Sequence, residues 1–369
     1  SLLIRISEMV GARPEAEMAQ ALLKTLASQL SPSELDLQLL DALGDGLARR
    51  GSSLHAVIER LPTGSPVRNW LDAIWQEAAA IATASDDSSA IRQRAVRRLA
   101  YAPWTISATA FDTILSPQTP EAVQAAALET LAKTQNLEAA AILVDAWSSL
   151  TPKLRTQATE TFLSRQEYTE SFLDALESGA IKRSEINRAS YPQLLKHPKT
   201  QIRLRAEKLL AEGKNERRKI VDMYQPALKL TGSAKRGRAL YEQKCATCHK
   251  LGDVGHEVGP DLASVQNKTP SDLLVAILDP NREAQLRYTT YAISTLSGQI
   301  YTGMIAAESS GSLTLRRGEG KEDVVLRDQI DEMISSGQSL MPEGLEKEID
   351  QQQLADLIAF IKSLKGAAP

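Results

Sequence analysis

Cys245-Ala-Thr-Cys248-His249 contains both cysteines of this 369-residue chain, followed directly by a histidine. The spacing C-x-x-C-H is the attachment signature of c-type haem. Two thiols one helical turn apart can form thioethers with the two vinyl groups on adjacent pyrroles, and the following histidine then points its ring at the iron. The motif therefore predicts one covalent haem c, bound through Cys245 and Cys248, with His249 as an axial ligand of the iron.

Two other interpretations of the motif stay open at this point. A zinc site needs four ligands, although adjacent Cys and His side chains rarely both face one tetrahedral metal. The residues that could nominally supply such a site are Cys245, Cys248, His249 and His256. A thioredoxin-like dithiol would need a βαβ context, whereas the flanking sequence predicts a helix and a loop. Both interpretations are weaker than the haem interpretation, and a chance structural occurrence of the motif is weaker still.

The sequence that follows the motif agrees with a haem site. Gly259-Pro260-Asp261-Leu262 comes shortly after His249. The carbonyl of Pro260 can accept a hydrogen bond from the ring nitrogen of His249 that does not bind iron. Such a bond fixes the tautomer of the imidazole and makes it a more basic ligand. We therefore predict that Pro260 belongs to the cofactor-binding site.

The helix that runs into Cys245 and the last helix of the chain have matching faces. Gly237 and Tyr241 share one face of the first helix, and a face of the last helix carries Leu357, Phe360 and Ile361. A small residue beside an aromatic residue lets two helices cross closely. This pairing is typical of a class I cytochrome c.

The sixth ligand of the iron is predicted to be Met341. Class I cytochromes place an axial methionine in a loop before the last helix, and Met341 lies there, in Ser339-Leu-Met-Pro-Glu-Gly344. Pro342 restricts Met341 to an extended conformation, which suits a loop along the haem face. The alternative for Met341 is ordinary core filling. Three other residues are weaker candidates: Met304 in a β-rich region, Met333 in a predicted helical turn, and His256, which is too near the first axial histidine.

The composition is that of a globular protein, with 43% hydrophobic and 24% charged residues. Aromatic residues make up only 4%, and abundant alanine and leucine favour packed helices over a β-sandwich. A formal charge of −3 argues against nucleic-acid binding, and no apolar run approaches the roughly 20 residues of a membrane span. We therefore expect a mainly α protein with no nucleic-acid partner and no membrane span.

Residues 1–224 are predicted to form an N-terminal α-solenoid resembling HEAT repeats. Four segments each have an apolar residue, an alanine four residues later and a bulky apolar residue eight residues later: Ile91–Leu99, Val123–Leu131, Leu154–Phe162 and Ile202–Leu210. Second apolar helices follow at Ile106–Leu115 and Leu137–Trp147, and helices of less regular repeats are predicted upstream, at Glu15–Leu30, Ser33–Arg49 and Pro66–Thr83. Helix pairs at a regular period indicate a solenoid, which serves either as a partner-binding surface or as a rigid spacer.

Residues 225–369 are predicted to form a class I cytochrome c domain with a β-rich insertion at about 288–327. Short runs of β-forming residues, separated by turn residues, predict a small antiparallel meander of three or four strands there. We expect this insertion either to shield a haem edge, to form a docking surface or to be a surface excursion without a role. An amphipathic helix over residues 350–365 closes the chain.

Residues 225–369 also resemble the haem-binding cytochrome c domain found in Planctomycetes, Verrucomicrobia and relatives. The stretches that carry the resemblance are Arg236-Gly-Arg-Ala-Leu-Tyr241, the C-x-x-C-H motif, Val258-Gly-Pro-Asp-Leu262, Ile277-Leu-Asp-Pro-Asn-Arg282 and Ser339-Leu-Met-Pro-Glu-Gly-Leu345. In that family the domain often follows HEAT-like helices, which often follow a β-propeller resembling sugar or quinoprotein dehydrogenases. The resemblance therefore implies a redox partner of that dehydrogenase type, fused or separate.

Together, these features predict a periplasmic electron-transfer cytochrome. Six-coordinate His/Met iron has no vacant position for a substrate, and methionine ligation raises the reduction potential. Covalent haem attachment takes place outside the bacterial cytoplasmic membrane, which predicts the periplasm. No catalytic site beyond electron transfer is apparent, as suits the electron-transfer part of a dehydrogenase. The alternatives are a haem-based redox or gas sensor with a displaceable sixth ligand, and a scaffold whose haem is merely structural.

Overall fold

The computed structural model describes residues 2–13, 16–29, 32–62, 64–85, 87–134, 136–210, 216–282 and 285–364. The chain divides into two compact units, Ser1–Ile142 and Leu143–Pro369. The fold is mainly α, with a small antiparallel sheet in the second unit. Within the described residues, no helix is both long and apolar enough to cross a membrane.

The first unit is built of helices whose starts are encoded locally. Serine side chains cap four of them, each accepting a hydrogen bond from the backbone N–H three residues later, at Ser33, Ser53, Ser65 and Ser88. The helices are α1 (Leu2–Ala12), α2 (Ala16–Leu26), α3 (Glu34–Arg49), α4 (Leu54–Ile58), α5 (Pro66–Thr83), α6 (Ser89–Arg98), α7 (Trp104–Ile114), α8 (Glu121–Lys133) and α9 (Glu138–Ala146), within which the division between the units falls.

The repeated segments are helical, and their alanines are buried. The four segments lie in α6, in α8 and in two helices of the second unit, α10 (Pro152–Leu163) and α13 (Thr200–Leu210). Their shared alanines are at most 2% exposed: Ala95, Ala127, Ala158 and Ala206. For the first apolar residue of one copy, the prediction of a packed helix face is wrong. This residue, Ile91, lies in the first turn of α6, which begins at Ser89, and it is 39% exposed. The solenoid arrangement itself stays a prediction.

The upstream helices agree with the sequence over most of their length. Pro66–Thr83 is α5, and Ser33–Arg49 is α3 with its capping serine. The segment predicted over Glu15–Leu30 contains α2, while residues 15 and 30 lie outside the described residues.

In the second unit, helices both precede and follow the sheet in the sequence. After α10 come α11 (Gln166–Ser178), α12 (Tyr191–Leu195), α13, α14 (Glu216–Tyr224), α15 (Ala234–Lys244), α16 (Pro270–Leu278) and α17 (Gln351–Ser363). The predicted helix over residues 350–365 is α17, which begins with a capping box between Asp350 and Gln353; residue 365 lies outside the described residues.

Within residues 285–364, five strands form an antiparallel sheet in the order β4-β3-β2-β1-β5. They are β1 (Thr289–Thr295), β2 (Ile300–Glu308), β3 (Ser312–Arg316), β4 (Glu322–Leu326) and β5 (Ile330–Ser339). The prediction of three or four strands ending near residue 327 missed β5, and Met333 lies in that strand, not in a helical turn. Asp331 and Glu332 are both exposed, so the period of two expected for a strand is interrupted at its start.

Fully buried Arg155 of α10 ties the helices after Leu143 to the sheet. Its guanidinium forms an ion pair with Glu185 at 2.9 Å and donates to the hydroxyl of Ser335 in β5 at 2.9 Å. It also lies 5.4 Å from the ring centroid of Tyr291 in β1, whose hydroxyl donates to the carbonyl of Leu150. These contacts group the helices from α10 onward with the C-terminal part. The domain boundary predicted between residues 224 and 225 rests on a change in the sequence pattern near that point, and it stays a prediction.

Candidate haem-binding site

The C-x-x-C-H motif forms a turn directly after α15. The helix ends at Lys244, and the N–H of Cys245 still donates to the carbonyl of Tyr241 at 2.8 Å. The carbonyl of Cys245 then accepts hydrogen bonds from the N–H groups of Cys248 (3.0 Å) and His249 (2.8 Å). The two cysteines are thus one turn apart on a hydrogen-bonded backbone, as two thioether bonds to one haem require.

The buried side chain of Tyr241 is hydrogen-bonded to the last residue of the motif and to the loop that follows it. Its hydroxyl donates to the carbonyl oxygens of His249, at 2.7 Å, and Val254, at 3.0 Å. The carbonyl of Cys248 accepts from the N–H groups of Val258 and Gly259. The loop that follows the motif is therefore folded back on the motif by backbone hydrogen bonds.

The His249 imidazole is oriented by Pro260. Its Nδ1 lies 2.7 Å from the carbonyl oxygen of Pro260, which is the contact predicted from the sequence. A carbonyl can only accept, so Nδ1 carries the proton and Nε2 has a free lone pair for a metal. Burial lowers the pKa of His249 and outweighs the bond to Pro260, which raises it. The neutral imidazole that iron ligation needs is therefore favoured.

Gly259 permits this orientation of the ring. A Cβ at Gly259 would lie 2.6 Å from Cε1 and 2.9 Å from Nδ1 of His249. The imidazole is thus packed directly on backbone, where no larger residue fits. The role of Gly259 was not inferred from the sequence, although its place immediately before Pro260 was a signal.

The two thiols are poorly suited to the alternative chemistries. Burial raises the pKa of Cys245 to about 11, with a smaller contribution from Cys248, and burial also raises the pKa of Cys248. A reactive dithiol needs a lowered thiol pKa. Among the described residues, no group of three or more His, Cys, Asp or Glu side chains could hold a metal ion. The donor set therefore fits haem attachment better than zinc or dithiol chemistry.

The first and last helices of the candidate site cross closely, as predicted. The rings of Tyr241 in α15 and Phe360 in α17 have centroids 5.6 Å apart. A Cβ at Gly237 would overlap the carbonyl oxygen of Asp356 in α17 and lie 2.7 Å from Cβ of Phe360. Leu357 and Ile361, the other residues predicted on this face, are also buried in the same apolar core.

Asp356 is a buried acid at this crossing that sequence reasoning missed. Burial alone would raise its pKa, but hydrogen bonds from the Arg236 guanidinium, the Ser233 N–H and the Gln352 amide together hold the pKa of Asp356 below its usual value. The signal was a charged residue within the apolar face of α17. Asp356 connects the start of α15 to the middle of α17.

The turn between β3 and β4 contacts the motif. The N–H of Glu319 donates to the carbonyl of Thr247, one of the two residues between Cys245 and Cys248, at 2.8 Å. Arg316 donates to the carbonyl of Glu257 at 2.7 Å. Glu319 has a φ of 64°, and it is the only non-glycine residue with positive φ in the described part of the chain. The β insertion therefore braces the haem-attachment loop, a contact that the sequence did not indicate.

Met341 lies in the loop between β5 and α17, where it was predicted, and it is half-buried. The competing methionines are held within the sheet: Met304 in β2 is 7% exposed and Met333 in β5 is 2% exposed. Ligation of iron by Met341 stays a prediction.

Residues 232–288 match the family model described as cytochrome C oxidase, cbb3-type, subunit III. This segment contains α15, the C-x-x-C-H motif and α16. No curated protein matches the chain. The chain therefore contains a cytochrome c-like domain, which supports a haem c cofactor and a role in haem-based electron transfer.

Proposed function

We propose that this protein is a periplasmic electron-transfer cytochrome whose single haem c is attached to Cys245 and Cys248, with His249 and Met341 as axial ligands. The observation that carries the proposal is the hydrogen bond between Nδ1 of His249 and the carbonyl of Pro260, because it orients a neutral imidazole beside the two thiols. When bound, haem c accepts and releases single electrons.

The residues around the motif have separate tasks in this proposal. Cys245 and Cys248 hold the group covalently, while Pro260 fixes the tautomer and direction of the His249 ring. Met341 supplies a thioether sulfur, a soft ligand that favours ferrous over ferric iron. The apolar core of α15, α16 and α17 excludes water, and a low dielectric disfavours the extra charge of the ferric state.

Covalent attachment is tested first. Denaturing electrophoresis followed by peroxidase-type haem staining should give a stained band at the mass of this chain. A Cys245→Ser, Cys248→Ser variant should lose the stain. Haem that dissociates from the parent protein on denaturation would contradict attachment through these thiols.

Met341 ligation is tested by Met341→Ala, with Met304→Ala as the control that removes a methionine from the sheet. The ferric Met341→Ala protein should lose the charge-transfer band typical of iron–methionine bonding, bind imidazole faster and fall in reduction potential. Met304→Ala should keep the parent's band. If Met341→Ala keeps the parent's ferric spectrum and slow imidazole binding, Met341 is not the sixth ligand.

The periplasm and the redox partner are further parts of the proposal. Covalent haem attachment and the family resemblance support them, and the resemblance implies a quinoprotein or sugar dehydrogenase as electron donor. Cell fractionation should find the haem-loaded protein in the periplasm. Reduction of the purified cytochrome by such a dehydrogenase, measured in the haem spectrum, should require the dehydrogenase's substrate; haem-loaded protein confined to the cytoplasm would contradict this part.

A further inference from the structure

We propose that the turn Asp279–Arg282, with Asn281 as its positioning residue, holds the Met341 loop against the haem site. The proposal rests on the ligation of iron by Met341. It gives a role to the Asp-Pro-Asn-Arg sequence, which neither the C-x-x-C-H motif nor the axial ligands explain.

One side chain binds both arms of the Met341 loop. Oδ1 of Asn281 accepts a hydrogen bond from the N–H of Ser339 at 2.7 Å. Nδ2 of Asn281 donates to Oε1 of Glu343 at 2.6 Å. Ser339 and Glu343 are placed symmetrically before and after Met341, so a single amide fixes the separation of the loop's two ends. The second bond has a charged but solvent-exposed acceptor, whereas the bond to Ser339 is half-buried.

The turn that presents Asn281 is itself rigid. α16 ends at Leu278, the N–H of Asp279 donates to the carbonyl of Val275 at 2.8 Å, and the N–H of Arg282 donates to the carbonyl of Asp279 at 3.0 Å. Pro280 is buried and has a fixed φ. The backbone of this turn therefore fixes the position from which the Asn281 side chain reaches Ser339, through a backbone N–H, and Glu343, through an exposed carboxylate.

A second brace joins the end of α16 to the same loop. Half-buried Arg217 of α14 forms two hydrogen bonds with the Glu346 carboxylate, at 2.8 and 2.9 Å, and its Nε donates to the carbonyl of Leu278 at 2.9 Å. The hydrogen bond from Arg217 is the main cause that lowers the pKa of Glu346. The end of α16 and the turn after it are thus connected to the chain after Met341 twice, through Asn281 and through Arg217.

This arrangement limits how far Met341 can move away from iron. With the loop bonded at Ser339 and at Glu343, the backbone of Met341 cannot move away from the haem site unless a bond to Asn281 breaks, so the thioether stays close to the iron and can rebind after each dissociation. Exchange of the sixth ligand in the ferric protein should therefore be slow, and its rate should depend on Asn281.

The test measures imidazole binding to the haem-loaded, full-length ferric protein by stopped-flow absorption. Asn281→Ala should speed binding about tenfold or more, since it removes two hydrogen bonds, one of them to a charged group. Asn281→Asp should speed it as well, because a carboxylate then faces Glu343. In the double variant Asn281→Asp, Glu343→Gln, the amide at position 343 donates to the carboxylate at position 281. This exchange of donor and acceptor should restore the slow rate.

Asn187→Ala is the matched control, because the Asn187 side chain also accepts a backbone N–H, that of Ala189, in a turn of another segment. Its imidazole binding should equal the parent's. If Asn281→Ala fails to hold haem, Glu343→Ala replaces it, since Glu343 is exposed and its removal leaves the core intact. Binding to Glu343→Ala should then be several-fold faster, and a parent-like rate would overturn the proposal.

The failure of this inference and that of Met341 ligation are distinguishable. Fast imidazole binding in Met341→Ala together with parent-like binding in Asn281→Ala would overturn the positioning role and leave the ligand intact. Slow binding in Met341→Ala would overturn the ligation, and the positioning role with it. The hydrogen bond between Asn281 and Glu343 would also be overturned if Asn281→Asp bound imidazole faster and the added Glu343→Gln change did not bring back the slow rate.

Discussion

The crossing of α15 and α17 makes a quantitative prediction for Gly237→Ala. By helix propensity alone, replacing a glycine inside a helix by alanine should stabilise the protein by about 1 kcal/mol. The structure opposes this, because the new Cβ would overlap the backbone carbonyl of Asp356 and lie 2.7 Å from Cβ of Phe360. A backbone atom cannot yield by changing rotamer, so the two helices must separate.

The separation should outweigh the gain from propensity. Overpacking of this kind costs about 1–3 kcal/mol or occasionally more, and it also loosens the ring contact between Tyr241 and Phe360, where such pairs contribute about 0.5–1.5 kcal/mol. We therefore expect Gly237→Ala to lower the free energy of unfolding by about 0.5–3.5 kcal/mol net. Urea unfolding of the haem-loaded protein, followed by haem absorption, reports on this part of the chain.

Ala239→Gly provides the control on the same helix. Ala239 is exposed in α15, so its replacement should cost only the propensity difference of about 1 kcal/mol. A Gly237→Ala protein that is as stable as the parent, or more stable, would refute the close crossing, provided that Ala239→Gly shows its expected loss.

Three further changes have expected outcomes in the same unfolding assay or in thermal unfolding. Glu319→Gly keeps the N–H that bonds to Thr247 and removes the strain of a left-handed backbone, so stability should rise by about 1 kcal/mol; a loss would show that the side chain, not the backbone, matters. Burial, with the charge of nearby Glu343 second, raises the pKa of Asp279. The free energy of unfolding should therefore fall as pH rises from the pKa of Asp279 in the unfolded chain to its higher pKa in the folded protein. Asp279→Asn should be more stable than the parent at neutral pH, and this pH dependence should disappear. Arg155→Ala leaves Glu185 buried without its ion-pair partner and should cost about 3–5 kcal/mol, whereas an effect below about 1 kcal/mol would contradict a structural ion pair.

Local signals in the sequence were sufficient for the haem-attachment motif, the helix starts and the crossing of α15 with α17. The C-x-x-C-H spacing, the capping box at Asp350 and the glycine beside an aromatic residue each act within a few residues. The same holds for the hydrogen bond between His249 and Pro260, because both residues belong to one short loop.

The sequence was misleading where a strand departs from strict alternation. In β5, two exposed acidic residues follow Ile330, and serine and glycine residues follow Met333, so the segment lacked a period of two and a helical turn was predicted instead. Pairing with β1 decides its conformation, since the backbone groups of β5 find their partners there.

Three polar contacts between distant segments were decided by the tertiary structure alone. Glu319 meets Thr247, Asn281 meets Ser339 and Glu343, and Arg155 meets Ser335, and each pair is separated by dozens of residues or more in the chain. Polar side chains of these types are ordinary on a protein surface, so their presence predicts no particular partner. The sequence by itself predicted which group the protein holds and which residues would attach it. Only the folded sheet and the turn after α16 decided what holds the attachment loop and the Met341 loop in place, because a hydrogen bond depends on where the chain brings its donor and acceptor together.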